Sequence, residues 1–320
     1  MQVLEQLERR ITSAEQLLSI VKTMKALAVA NMRHYERAVE SLDDYFQTVE
    51  MALQVVLWDL GNTDSQSNET KKNKATRRGS NKTLGIVFGS DYGFAGRFNE
   101  DITSFAIREL DLRETRNDNR SLICVGEQIL IRMEHEEQPV RSFFGIPSSL
   151  AGINILIQKL LLEIDHARTN GELGQVVLFY NRPVAGQIFT QQIETLIPIS
   201  AEHYKNIKKE WPTKNIPRYT IERSALMAAI LRQYIYVSLY RGAVLSLAAE
   251  NSSRLSSMHS AGKNIEELLE RVKSEYRSNR QSAITEELLD IAAGFTALES
   301  ESKGKSKIKT LKSYDLDKQN

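Results

Sequence analysis

The stretch LGIVFGSDYGFAGRFN, residues 84–99, decides what kind of fold this is. An apolar run ends at Phe88, glycines follow at 89, 93 and 96, and a helix-like segment begins near Asn99. A strand that passes through a glycine-rich turn into a helix opens many nucleotide- and dinucleotide-binding folds. The spacing here matches neither signature. A Walker loop needs GxxxxGK[ST], whose Lys reaches the phosphates, and the residue five positions after Gly89 is Phe94. The dinucleotide fingerprint GxGxxG is replaced by GxxxGxxG. The loop therefore reads as a tight exit from a strand, with Asp91 and Asn99 as capping residues for turns and helix starts.

Outward from this loop the same alternation repeats. LICV (122–125), VRSFF (140–144) and VVLFY (176–180) read as further strands, and QIFTQQIETLIPI (187–199) as one or two more. Helical stretches fall at 99–112, 127–136 and 148–169. Strands alternating with helices predict an α/β layer built on a largely parallel sheet, a Rossmann-like domain over residues 84–200.

The flanks are of another kind. Residues 2–57 hold no Gly and no Pro, which predicts one long helix. Leu4, Leu7, Ile11, Ala14, Leu18 and Val21 make a coiled-coil seam, which resumes at Val39, Leu42, Phe46, Val49, Leu53 and Val56. The interval of 18 residues between Val21 and Val39 reads as a stutter, two heptads plus four. Residues 61–83 read as a polar linker with six Lys/Arg after residue 70. From 219 to 298 a second helix carries the seam Val237, Tyr240, Val244, Leu247, Asn251, Arg254, Met258, Ala261, Ile265, Leu268 and Val272. Residues 299–320, rich in Lys and Ser, read as a disordered tail.

Two long helices that flank one domain leave it at neighbouring points, so they are expected to pair as an antiparallel coiled coil. Ala26, Ala28 and Ala30 on the first are expected to face Ala248, Ala249, Ser252, Ser253, Ser256 and Ser257 on the second, giving a thin stem. The second helix is the longer and overhangs at its C-terminal end. That overhang, SAITEELLDIAAGFTAL (282–298), is apolar around much of its circumference and needs an external sleeve.

Composition narrows the function classes. A net charge of +1 gives no global field for nucleic acid or a membrane surface. Cys124 is the only cysteine, which excludes an internal disulfide and any multi-cysteine zinc site. The five His residues are scattered, and HEEQ (135–138) lacks the second His of HExxH. The first residues, MQVLEQLERR, lack the apolar core of a signal peptide, and no apolar run approaches a membrane span. No cofactor, metal or active site is expected.

Three motifs carry a resemblance to a known family, over residues 3–298. RRITSAEQLLSIVKTMKALAVANMR (9–33) is similar to I-x-S followed by I-x-K-A-M and A-x-K-M-R. SDYGFAGRFN (90–99) is similar to S-D-R-G-L-C-G-x-x-N. AAENSSRLSSMHSAGKNIEELL (248–269) and NRQSAITEELLDIAAG (279–294) resemble S-E-x-x-A-R-M-x-A-M-x-x-A-T-x-N-A and N-x-x-R-Q-x-x-I-T-x-E-L-x-E-I-x-x-G. Together they resemble the γ subunit of the F-type rotary ATP synthase.

The resemblance implies a central rotor shaft that couples ion flow through the membrane sector to ATP synthesis or hydrolysis. Its implied partners are the α₃β₃ ring of α and β subunits, the ε subunit and the membrane c-ring, on the cytoplasmic side of a bacterial membrane. The implied contacts with β fall at Lys22, Met24, Lys25, Arg254, Arg280, Gln281, Thr285 and Glu286. Leu288, Leu289, Ala292, Phe295 and Leu298 would meet the apolar bearing. Departures stand at Tyr92, Phe94, Ala95 and Arg97 in the loop, and at Ala249 and Gly262 in the second helix. They suggest a divergent branch, with the alternate sodium-pumping (N-type) complex as one such branch. The competing readings are a coiled-coil scaffold or chaperone-like protein, and a nucleotide-dependent enzyme resting on residues 88–99.

Overall fold

The computed structural model describes residues 2–64, 82–113, 119–147, 149–171, 173–184, 186–199 and 219–316, with the side chains of residues 2, 58–64 and 297–316 outside that description. With neither Gly nor Pro to interrupt it before residue 61, the first segment forms helix α1, Gln2–Asp64. Its inward face follows a strict seven-residue step. Leu7, Ala14, Val21, Ala28, Tyr35, Leu42, Val49 and Val56 are all buried or half-buried. So are the companions Leu4, Ile11, Leu18, Lys25, Met32, Val39, Phe46 and Leu53. The expected stutter is therefore absent. Val21 belongs to the first set and Val39 to the second, and Lys25, Ala28, Met32 and Tyr35 occupy the seam between them. An unbroken heptad is the pattern that keeps one seam facing a partner helix.

The partner is α5, Arg223–Leu316. It begins four residues later than the sequence suggests, where Glu222 accepts hydrogen bonds from Ser224 N (3.0 Å) and Ala225 N (2.9 Å) and from the Ser224 hydroxyl. These bonds hold the exposed Glu222 carboxyl below its ordinary pKa. They satisfy the donors that a helix start leaves open.

The chain divides into two compact units, residues 23–259 and residues 1–22 with 260–320. In each, contacts along the two helices run in opposite order. Within the larger unit, Lys25 lies by His259, Asp43 by Arg241 and Tyr45 by Gln233. Within the smaller, Glu15 pairs with Lys273 at 2.6 Å and Lys22 with Glu266 at 3.8 Å. The helices are an antiparallel pair. Of Ala26, Ala28 and Ala30, only Ala28 is buried, because residues two apart on a helix point to different sides.

Between the helices the larger unit contains β1 (Thr83–Phe88), α2 (Phe98–Leu112), β2 (Arg120–Val125), α3 (Glu127–His135), β3 (Val140–Phe144), α4 (Leu150–Thr169), β4 (Gln175–Val184) and β5 (Gln187–Ile197). The sheet order is β3-β2-β1-β4-β5, parallel except for the antiparallel edge strand β5. A parallel strand covered on both faces reads as a continuous apolar run, and every residue of β1 is buried.

One face of the sheet packs Leu84, Ile86, Phe88, Ile123 and Val125 against α4 and against Tyr35, Leu239, Ala243, Val244, Leu247 and Ala248 of the long helices. The other packs Val87, Leu122, Cys124, Val177 and Phe179 against α2 and α3. Gly242 lets α5 come close, since a Cβ there would stand 2.8 Å from Leu178 Cδ2.

Two boundaries differ from the sequence reading. Residues 61–64 continue α1 and Thr83 opens β1, so residues 65–81 of the expected linker lie outside the described residues. Residues 299–316, expected as a disordered tail, continue α5, and they contain one Gly and no Pro to end a helix. Residues 317–320 lie outside the description.

Candidate functional site

In an open α/β sheet the place to look for a ligand is the crevice beyond the C-terminal ends of the strands, where the strand order reverses. Here that is the end of β1 beside β4, so the glycine loop sits where a nucleotide would bind. Its polar groups are taken up by the chain itself. Gly89 N donates to Val125 O (2.8 Å), Ser90 N to Asn99 Oδ1 (2.9 Å) and Gln128 N to Ser90 O (2.9 Å). Asn99 Nδ2 donates to Ser90 Oγ at 2.7 Å, with Asn99 itself buried. Asp91 accepts from Glu127 N at the start of α3 (3.1 Å) and from Ile146 N beyond β3 (2.8 Å). Asp91 thus meets an open N–H at the start of α3, whereas Asn99 lies inside α2 and ties the turn at Ser90 rather than capping a helix.

The part of the loop next to the strand is tightly packed, while residues 92–94 are exposed. A Cβ at Gly89 would meet Ile129 Cβ at 2.5 Å, and one at Gly126 would meet the Ser90 backbone at 2.8 Å. Phe98 is fully buried where the crevice would open, edge-on to Phe189, and its carbonyl accepts from Asn181 Nδ2 at 3.1 Å. The cavity lined by Phe88, Gly89, Val125, Ile146 and Leu247 measures about 10 Å³, the scale of a single water. Gly89, Gly96 and Gly126 serve close packing, and Gly93 has nothing within 4 Å of an added Cβ.

What the loop packs against is α5. Ser253 Oγ donates to Ala95 O at 2.6 Å, and Ala95, Phe98 and Ala249 form one buried cluster. Gly96 takes the left-handed conformation (φ +57°), and a Cβ there would lie 2.8 Å from Ser257 Oγ. The family pattern's Cys and Ser are Ala95 and Ala249 here, which leaves a small apolar contact.

One turn of α5 further along this face is an inward ion pair. Arg254 Nη2 donates to Glu250 Oε1 at 2.6 Å, with side chains 14% and 7% exposed. Burial pushes the Glu250 carboxyl up to about 7, against the lowering effect of Arg254, and Asp91 raises it further. Glu250 Oε2 is buried with no hydrogen-bond partner. Tyr35 of α1 has its phenol pKa raised by burial and by Glu250. Ser253 was expected to face the first helix and instead bonds to the loop, and Glu250 was not singled out from the sequence. The available signal was a Glu four residues before an Arg on a helix, directly after the small apolar run LAA (247–249).

The structure separates the contacts expected from the resemblance into two kinds. Arg254, expected to meet a partner, donates to Glu250 on its own helix, with its side chain 14% exposed. Lys22 is exposed beside Glu266, Met24 is half-buried, and Lys25 Nζ lies 3.3 Å from His259 Nδ1. Arg280, Gln281, Thr285 and Glu286 are exposed, and the Thr285 hydroxyl donates to Gln281 O at 2.9 Å.

From Arg277 to Thr296 every residue of α5 is exposed. This stretch includes Ala292, and Leu288, Leu289 and Phe295 at 62%, 65% and 71%. The side chain of Leu298 lies outside the described residues. Among the described residues, no group of three or more His, Cys, Asp or Glu is placed to hold a metal ion, and no helix is long and apolar enough to cross a membrane.

A family model described as ATP synthase matches residues 3–298, the span from the start of α1 to the apolar end of α5. The chain belongs to the ATP synthase γ-chain family. Among its relatives, the ATP synthase γ chain of Desulforudis audaxviator is 28% identical, over 93% of this chain and 100% of its own length. That of Anaeromyxobacter dehalogenans is also 28% identical, over 92% and 99%. Among solved structures, the rotor of the Euglena gracilis mitochondrial ATP synthase superposes with a TM-score of 0.60 at 16% identity, over 88% of this chain and 99% of that one. The central stalk of the Tetrahymena thermophila mitochondrial enzyme gives 0.52 at 20% identity, over 76% and 99%. These structural likenesses establish the shared fold of long paired helices around an α/β domain.

Proposed function

We infer that this chain is the central rotor shaft of an F-type ATP synthase, linking ion flow through a membrane sector to ATP synthesis or hydrolysis in a ring of α and β subunits. The observation that carries the reading, beside family membership, is the run Arg277–Thr296, exposed on every side while bearing Ile284, Leu288, Leu289, Ile291 and Phe295. A helix with large apolar side chains and no cover among the described residues is suited to being enclosed. An α₃β₃ ring supplies such an enclosure.

Within this reading Lys22, Met24, Lys25, Arg280, Gln281, Thr285 and Glu286 face β, and Leu288, Leu289, Ala292, Phe295 and Leu298 turn in the bearing. The α/β domain would be the foot that meets the ε subunit and the c-ring. The sealed loop at residues 89–99 supports a chain without an active site of its own, and torque transfer asks for stiffness and shape. The complex is membrane-associated, and we place this chain on its cytoplasmic side, peripheral to the bilayer.

Reconstitution tests the reading. Added to α and β subunits, the full chain is expected to be retained in the ring and to raise its ATPase rate, and removal of residues 282–320 is expected to weaken retention. A ring that hydrolyses ATP equally well without the chain, and never retains it, would overturn the assignment in favour of a scaffold role.

A further inference from the structure

The contact between α5 and the β1–α2 loop contains one feature that neither folding nor shaft function requires. Glu250 lies on α5 between Ala249 and Ser253, which meet the loop at Ala95, and pairs with Arg254 at 2.6 Å, while burial first and Asp91 last raise its carboxyl pKa. Asp91 is committed to two backbone N–H groups, and both of its oxygens are engaged. Glu250 is 5% exposed, uses Oε1 to accept from Arg254, and leaves Oε2 buried without a donor. A buried carboxylate oxygen with no donor costs the ionised form its compensation.

We propose that Glu250 is a proton-operated latch in the joint between α5 and the glycine loop. Neutral, it leaves Asp91 and Arg254 in balance and the loop seated on the helix. Ionised, it sets two negative charges against one positive charge in a buried place, and the loop seats less firmly.

The geometry makes the loop a suitable reporter of that charge. Asp91 belongs to the loop itself. Ala95 and Gly96, four and five residues on, are where α5 meets the loop, with Ser253 Oγ bonded to Ala95 O and Ser257 close beside Gly96. Repulsion of Asp91 therefore acts on the same short segment that the helix grips. The charged and titratable groups facing Glu250 are Arg254 on α5, Asp91 on the loop and Tyr35 on α1. The phenol of Tyr35 is kept neutral by burial and by Glu250, so it adds no countercharge. The carboxyl's balance point at about 7 places the switch near neutral pH. All of these groups lie in the unit of residues 23–259, so the latch needs no partner subunit and stands independently of the shaft assignment.

The test uses the full chain with Gly93→Cys, a position with nothing within 4 Å of an added Cβ. The native Cys124 is buried and its thiol is pushed up to about 12, so a thiol-reactive fluorophore goes to the new site. Quenching of that fluorophore by acrylamide is followed from mildly acidic to mildly alkaline pH. Accessibility is expected to rise with pH around a midpoint near 7, and Glu250→Gln is expected to hold it flat at the acidic level. If Glu250→Gln does not fold, Asp91→Asn in the same background is expected to move the midpoint down, by removing the repulsion. A flat profile in the parent, an unchanged titration in Glu250→Gln, or an unmoved midpoint in Asp91→Asn overturns the proposal.

Discussion

Two stretches of one helix, residues 242–251 and residues 277–296 of α5, have opposite surroundings. The first, GAVLSLAAEN, is buried at every position. The second, RSNRQSAITEELLDIAAGFT, is exposed at every position. Both contain leucines with the same preference for burial, and the difference lies in what else the chain supplies. Around residues 242–251 it provides a sheet and a second helix, and it pays for their close approach with small residues such as Gly242, Ala243, Ala248 and Ala249. Around residues 277–296 the described residues provide no cover. A helix can therefore be apolar for two reasons, to fold or to be enclosed later, and only its neighbours distinguish them.

The sharpest way to break this comparison is a matched pair of truncations. Leu245→Ala, at 4% exposure, is expected to lower unfolding free energy by about 2–5 kcal/mol in urea titrations. If it costs no more than Leu289→Ala, the contrast fails.

A second effect belongs to the buried stretch alone and depends on pH. Folded, Glu250 keeps its proton up to about 7, whereas its ordinary value is 4.5. Between those values the folded state binds more protons than the unfolded one, so stability falls as pH rises through the window. The loss is at most about 3 kcal/mol, and Glu250→Gln is expected to remove it from the measured pH profile of stability. No comparable slope is expected from the exposed stretch.

Gly242→Val probes how close α5 lies to the sheet. A Cβ would already stand 2.8 Å from Leu178 Cδ2, and overpacking is expected to cost about 1–3 kcal/mol. Gly294, with nothing within 4 Å, is expected to accept Ala with no loss.

Smaller still, breaking the half-exposed pair of Lys273 and Glu15 is expected to change stability by about 0.2–1 kcal/mol, and less at high salt. At the bottom of the scale, Leu289→Ala is expected to leave stability within about 0.5 kcal/mol while weakening retention in an α₃β₃ ring. That split between stability and assembly would sharpen the comparison most.

Much of the fold was legible because its signals are local. Apolar runs bounded by glycines located β1, β2 and β3 to within a few residues, and a segment without Gly or Pro located α1. The places that were misread all depend on a neighbour. The seam of α1 looked interrupted because Ala28 and Lys25 do not announce themselves as inward-facing, yet both meet the seven-residue step. Arg254 matched a motif, and what the motif does not carry is its bond to the acid four residues earlier on its own helix. The spacing of Gly89, Gly93 and Gly96 ruled out a standard phosphate loop. Only the distances from Gly89 to Ile129 and from Gly96 to Ser257 disclosed what the glycines admit instead.

By itself the sequence determined the classes of element, their order, the antiparallel pairing of the flanking helices and the family. Each of these follows from periodicity, from breakers or from motif order along one chain. Tertiary structure decided which apolar stretch of α5 is core and which awaits cover. It also decided that Glu250 is buried and that Ser253 bonds to Ala95, more than one hundred and fifty residues away. The physical reason is that burial and charge depend on distance in space, and a residue's own letter carries no record of what will be folded against it.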